Sequence, residues 1–219
     1  ACGTGACASL VAANIKGLLS SKGGDLCFQC HGKTKADQNV KIRHEPFSNG
    51  SCTSCHNPHG SDLPGILNDR TEKVCFTCHA ESEAKLARNA VHKPVLAGNC
   101  LACHAPHGAE EGKLLRKAGA RLCAGCHAEL MKETAGGINH DPFKKGECLT
   151  CHDAHASSEK GMVVARQDKI CFECHSEVRD GMRGTKSTHK PLLSGECTKC
   201  HSPHKAALKM LLLVQSPDM

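Results

Sequence analysis

The chain contains no tryptophan and no tyrosine, and only five phenylalanines. A protein of this length ordinarily closes one or two domains around a sizeable apolar core, to which aromatic side chains contribute heavily. That route is closed here, which excludes an ordinary hydrophobic-core enzyme. Long apolar runs are missing as well. The longest late run, Leu211 to Val214, falls far short of the ~20 residues that a membrane-spanning helix needs. Neither sign of charge dominates, with 28 Lys and Arg against 22 Asp and Glu, so a disordered polyelectrolyte tail is excluded too. Something other than side-chain packing must offset the entropy of ordering this backbone.

What the chain has instead is 18 Cys and 16 His, with 21 Gly and 9 Pro. Sixteen of the cysteines form eight CxxC pairs, each followed at once by histidine. They are Cys27-Cys30-His31, Cys52-Cys55-His56, Cys75-Cys78-His79, Cys100-Cys103-His104, Cys123-Cys126-His127, Cys148-Cys151-His152, Cys171-Cys174-His175 and Cys197-Cys200-His201. Structural zinc or a redox disulfide also uses CxxC, but neither needs the histidine. CxxCH is the attachment signature of c-type haem. Two thiols one turn apart reach the two vinyl groups on one porphyrin edge, and the next residue places an imidazole under the iron. Eight covalent haems, each with its iron, follow from eight motifs.

Eight histidines remain: His44, His59, His92, His107, His140, His155, His189 and His204. Each stands either in H-x-P ahead of a Gly-x-Cys or three residues after a proximal histidine, as in His44-Glu45-Pro46 and His56-Asn57-Pro58-His59. Eight spare histidines for eight irons predict bis-histidine ligation. Methionine, the other common sixth ligand, is rejected because Met131, Met162, Met182, Met210 and Met219 follow no repeat. Two imidazoles leave no open coordination position, so electron transfer at low potential is expected and an enzyme is not.

The first cysteines of the motifs fall at positions 27, 52, 75, 100, 123, 148, 171 and 197, a longer step alternating with a shorter one. The repeating unit is therefore a pair of haems, at 20–67, 68–115, 116–163 and 164–212, between a leader 1–19 and a tail 213–219. All five phenylalanines obey the repeat. Phe28, Phe76 and Phe172 follow a first cysteine, while Phe47 and Phe143 follow H-x-P, so they are expected to pack on the haems. Gly and Pro punctuate every unit, which predicts short helices, for example within Glu81–Val91 and Ala128–Ala135, with loops elsewhere. His56 and His59, three residues apart, reach only ~10 Å and cannot grip both faces of one porphyrin. His107, His155 and His204 face the same limit. If each pair is self-contained, His59 caps the haem on Cys27/Cys30 and His44 that on Cys52/Cys55; wiring between neighbouring pairs is the rival.

With C-x-x-C-H, H-x-P, G-x-C and C-H-x-P-H in place over residues 27–204, the chain resembles the multihaem c-type cytochromes with doubled CXXCH domains, including octahaem electron-conduit cytochromes of metal-reducing bacteria. Departures are small: Ala154 stands for the proline before His155, and Ala124 for the phenylalanine after Cys123. The resemblance implies a haem-cored multihaem cytochrome c, mostly loops with short α-helices and little or no β. Four equivalent pairs imply an elongated repeat array in which haem order follows sequence order. It also implies electron transfer in respiration, between periplasmic and outer-membrane or extracellular partners. Those partners are other cytochromes or an outer-membrane porin–cytochrome complex. Self-assembly into an extracellular cytochrome filament is the alternative. A multihaem oxidoreductase ranks last, since no CxxCK motif occurs.

The formal charge of +6 omits the cofactors. Ferric haem with ionised propionates carries about −1 and ferrous haem about −2, so eight of them bring the sum to roughly −2 or roughly −10. The Lys and Arg side chains are expected to balance propionates, and no nucleic-acid partner is indicated. Covalent haem attachment of this kind implies export to a periplasmic, outer-membrane-associated or extracellular location. His59, His107 and His155 stand at the same distance before the next cysteine, at 75, 123 and 171. The same step from His204 gives position 220, so the pattern predicts a piece of a longer array. At the front, Thr4, Cys7 and Ala8 align with Cys52, Cys55 and His56 as a decayed motif. Cys2 and Cys7 have three open readings: a disulfide, a lipid-anchored N-terminus at Cys2, or unpaired thiols.

Overall fold

A computed structural model describes residues 21, 23–132 and 136–215. Most of the leader, including Cys2 and Cys7, lies outside the described residues, as do 133–135 and the end of the tail. Within the described chain, the repeat of the sequence is a repeat of backbone. A short α-helix runs into each first motif: Gly24–Phe28, Thr71–Phe76, Gly119–Ala124 and Gln167–Cys174. A second begins immediately after the proximal histidine, at Gly32–Ala36, Ala80–Ala84, Ala128–Met131 and Ser176–Gly181. His31, His127 and His175 are the capping residues that break the backbone between the two. The H-x-P segments open a third set: Glu45–Ser48, Lys93–Leu96, Asp141–Lys144 and Lys190–Leu193. Proline sits in the first turn, where its missing N–H has no partner to lose. Each second motif is a single 3₁₀ turn: Cys52–Ser54, Cys100–Ala102, Cys148–Thr150 and Cys197–Lys199.

Strand is minimal, as expected, yet it has a definite place. Among the described residues six strands of two residues occur: β1 Ile42–Arg43, β2 Ala90–Val91, β3 Gly108–Ala109, β4 Ile138–Asn139, β5 Ala156–Ser157 and β6 Lys205–Ala206. They form three antiparallel ribbons, β1–β3, β2–β5 and β4–β6, with Ile42 opposite Ala109, Ala90 opposite Ser157 and Ile138 opposite Ala206. Every ribbon thus joins residues just before an H-x-P histidine to residues just after a C-H-x-P/A-H histidine one unit later. The chain divides into two compact units, Ala1–Ala84 with Lys93–Ala118, and Lys85–His92 with Gly119–Met219. The first holds β1–β3 and the second holds the other two ribbons.

Among the described residues the buried side chains are few: Phe28, Phe47, Ala109, Ala156 and Ser157. Phe28 and Phe47 meet edge to face at 5.9 Å. Leu96, Leu193 and Met210 are largely exposed. This is the composition argument made visible, since side chains alone build almost no core. A glycine contact ties the two motifs of each unit. Gly50, Gly98, Gly146 and Gly195 have φ between +69° and +74°, and each lies against the start of its own first-motif helix. A Cβ at Gly50 would stand 2.6 Å from the Gly24 nitrogen, and one at Gly146 2.8 Å from the Ala120 Cβ. The G-x-C signature records that close approach.

Candidate functional site

All eight motifs share one turn. The backbone N–H of each proximal histidine donates to the carbonyl of the first cysteine, at 2.9–3.0 Å from His31 to Cys27 through His201 to Cys197. That i to i−4 bond brings both thiols and the imidazole to one side of a single helical turn. Neighbouring motifs place thiols side by side. Burial and then the adjacent Cys52 push the Cys27 thiol up, and burial and then Cys78 do the same to Cys55. Cys75 is pushed up to about 11 by burial, Cys100 and Cys55. In the second unit Cys171 reaches about 12 through burial, Cys197 and Cys151, and Cys151 is raised by burial and Cys174. Attachment points therefore follow one another in sequence order from Cys27 to Cys100 in the first unit and from Cys151 to Cys197 in the second.

The ribbons position six of the remaining histidines. His44 donates its backbone N–H to the His107 carbonyl at 2.9 Å and places its Nδ1 2.8 Å from the Pro106 carbonyl. His92 repeats this with His155 and Ala154, and His140 with His204 and Pro203. A second device fixes the proximal histidines of the second motifs. Nδ1 of His56, His104, His152 and His201 lies 2.7–3.1 Å from the carbonyls of Gly65, Lys113, Gly161 and Met210. A carbonyl only accepts, so each Nδ1 carries the proton and each Nε2 keeps its lone pair for a metal. These acceptors sit in turns whose neighbours Ile66, Leu114, Met162 and Leu211 have φ of 50–58°, a left-handed backbone that costs a bulky residue about 1–3 kcal/mol. His107 differs, because its Nδ1 faces the Asp37 carboxylate at 3.3 Å.

The rings come together in pairs: His44 with His79 at 6.1 Å between centroids, His92 with His127 at 6.1 Å, and His140 with His175 at 6.0 Å. His56 stands 6.2 Å from His107, and His152 stands 5.9 Å from His204. Four pairs are within 17–19° of parallel, and His56–His107 is tilted by 41°. An iron bound at about 2 Å by one nitrogen from each ring separates the centroids by roughly 6 Å. The donor set and its spacing fit a haem iron. Phe47 lies against His107 and Phe143 against His204, so these phenylalanines pack on ligand rings. Burial first, and then His152, His140 and Lys205, lower the His204 pKa.

The pairing is between sequence repeats, inside each compact unit, against the self-contained alternative. His44 meets His79 rather than His56, because the ribbon carries it one repeat onward. The six other predicted ligands hold the same backbone positions as their counterparts. His31, His104 and His201 sit in the motif turn, and His189 caps its helix. The backbone N–H groups of His59 and His155 donate to Asn57 and Asp153. Asp153 also binds Lys85 at 3.2 Å and Arg88 at 3.4 Å. Burial would raise its pKa, but the His155 N–H and the Lys85 ammonium outweigh that and lower it. Asp37 and the turn carbonyls were not foreseen. The recurring signal for the carbonyls was a residue nine places after each second-motif histidine, although only two of the four are glycine.

Paired thiols with an adjoining imidazole, repeated in an array of short helices, define a multihaem c-type cytochrome, which binds haem c covalently at about eight sites and is an exported protein. Matches to the family described as Doubled CXXCH motif cover residues 44–84, 92–132, 140–180 and 189–219, more than half of the chain, and the chain belongs to that family. The first match holds both His44 and His79, the histidines that the ribbon brings together. Comparison with curated proteins gives no match. Among the described residues no helix is long and apolar enough to cross a membrane.

Proposed function

We propose that the chain is a bis-histidine octahaem cytochrome that carries electrons between periplasmic and outer-membrane or extracellular redox partners in respiration. The observation that carries this reading is the set of five histidine pairs at 5.9–6.2 Å, one from each of two different repeats. When bound, haem supplies an iron that takes up and releases single electrons. The chain's part is to attach, orient and insulate. The cysteines would attach the porphyrin, and the two histidines of each pair would ligate its iron. No coordination position is then left for substrate at the paired sites, so we read the protein as a carrier rather than an enzyme.

Neutral imidazoles with fixed tautomers favour ferric iron and low potential. Attachment thiols that neighbour one another in sequence order support transfer in that order, from Cys27 to Cys100 in the first unit and from Cys151 to Cys197 in the second. The 28 Lys and Arg serve as counter-charge for propionates. Partners of this chemistry are other cytochromes, including one in an outer-membrane porin–cytochrome complex. Electron paramagnetic resonance of the haem-loaded ferric protein tests the reading. At least five low-spin haems per chain are expected, with no carbon monoxide adduct at those sites after reduction. A high-spin majority, or carbon monoxide binding by most haems, would overturn it.

A further inference from the structure

Residues 37 and 85 hold the same place in successive repeats. Each opens the 3₁₀ turn that leads towards its strand, Asp37–Asn39 before β1 and Lys85–Ala87 before β2. Their charges are opposite, and each lies beside the ligand histidine that its own ribbon carries. In the first compact unit the Asp37 carboxylate stands 3.3 Å from Nδ1 of His107. In the second, Lys85 stands 3.2 Å and Arg88 3.4 Å from one oxygen of Asp153. The other Asp153 oxygen accepts the backbone N–H of His155 at 2.9 Å and of Ala156 at 3.4 Å. It is 4.0 Å from Nδ1 of His155, beyond hydrogen-bond reach.

The turn itself does not need these charges. Asn57 accepts the His59 N–H at 3.1 Å, and Ser202 accepts the Lys205 N–H at 3.3 Å, so neutral side chains make that bond at the positions equivalent to 153. The three residues also change as a set. Where the third repeat's segment has Asp153, with Lys85 and Arg88 facing it, the second has Ala105, with Asp37 and Val40 at the matching places. The group around His155 is partly shielded from solvent, with the Asp153 side chain 20% exposed and that of Lys85 33%. Arg88 is held further by donating to the carbonyl of buried Ala156 at 2.9 Å. Two cations against one carboxylate leave one positive charge beside His155, whereas His107 faces a carboxylate.

We propose that Lys85 and Arg88 set a reduction potential: they make the field at His155 positive where Asp37 makes it negative at His107, so the haem that takes His155 has the higher potential of the two. The inference rests on the reading of both histidines as iron ligands. With the same kind of axial ligand at each site, the levers left to the protein include hydrogen bonding to the ligand and local charge. A carboxylate on Nδ1 makes the imidazole a stronger donor and favours ferric iron. Reduction adds one negative charge to a site, which neighbouring cations favour and a neighbouring carboxylate opposes. An electron shared among the haems therefore rests at the His155 site in preference to the His107 site. Repeats that are equivalent in backbone are thereby made unequal in energy.

Potentiometric titration of the haem-loaded chain, with ferric spin state and haem count followed alongside, tests this. Lys85→Asp should shift one site about tenfold towards ferric iron, which is about 60 mV lower for a one-electron couple. Lys85→Gln should move the same site the same way by less, and Lys85→Arg should titrate like the parent. Spin state and haem count should stay at the parent's values in all three. Salt at 1 M, where charges are screened within about 3 Å, should shrink the shift. A merely structural clamp gives the opposite sign: loosening His155 would add high-spin iron and raise the potential, and that result would overturn the proposal. So would a Lys85→Asp titration identical to the parent's. His155→Ala separates the two levels of failure. If it converts one haem to high-spin while Lys85→Asp is silent, the ligand reading stands and the field falls. If it leaves the spin state of every haem unchanged, His155 is no ligand and both fall.

Discussion

His44→Ala separates the two ways in which these units can be wired. The His44 ring stands 6.1 Å from His79, and its Nδ1 bonds the Pro106 carbonyl at 2.8 Å. The backbone bond to His107, at 2.9 Å, does not involve the side chain, so alanine keeps the ribbon. The side-chain bond lost is worth about 1 kcal/mol, too little to unfold the unit, and the thioether links hold the porphyrin regardless. The expected change is one haem-equivalent of high-spin iron above the parent, read by ferric absorbance and paramagnetic resonance, with the haem count unchanged by pyridine haemochrome assay. Deleting individual haems assigns it. In a Cys75→Ala/Cys78→Ala background the extra signal should vanish, because that is the haem His44 serves. In a Cys52→Ala/Cys55→Ala background it should persist. The reverse pair of results would mean that His44 serves its own unit and would refute the wiring read from the ribbons.

Three further perturbations follow from the same geometry. Asp37→Asn removes the carboxylate from His107 and should raise the potential of the haem on Cys52/Cys55. A tenfold change in relative affinity corresponds to about 60 mV for a one-electron couple, and an unchanged potentiometric titration would contradict the role of Asp37. Gly50→Ala puts a Cβ 2.6 Å from the Gly24 nitrogen at φ +69° and should destabilise the first unit by about 1–3 kcal/mol. Thermal unfolding with a haem count would detect this, and a wild-type melting temperature would argue against the clasp. Lys113→Gly relieves a residue held at φ 57° and should raise stability by up to about 1 kcal/mol, since the chain already uses glycine at 65 and 161. A lower melting temperature would show that the turn is held by something other than the backbone.

The ligand set was legible because it is written locally. Cys-x-x-Cys-His is one turn of chain, and the turn that holds His31 is the turn that holds His201. The even recurrence of Cys27, Cys75, Cys123 and Cys171 likewise made the unit visible before any coordinates. Pairing was not legible. Two-residue strands such as Ile42–Arg43 and Gly108–Ala109 are too short to show alternation, and their partners lie more than one whole unit away in sequence. Nothing near His44 in sequence announces His79. The turn carbonyls were hidden for another reason: a left-handed turn normally advertises itself through glycine, but Lys113 and Met210 occupy it without one. Asp37 is matched by lysine at 85 and by an acidic residue only at 133, so the repeat did not single it out.

Anomalous scattering at the iron edge from crystals of the haem-loaded protein tests the central claim most directly, because it locates each iron independently of any assumed ligand. The account predicts iron midway between His44 and His79, His56 and His107, His92 and His127, His140 and His175, and His152 and His204. An iron flanked by His44 and His56, with His79 bound to a different partner, would contradict it.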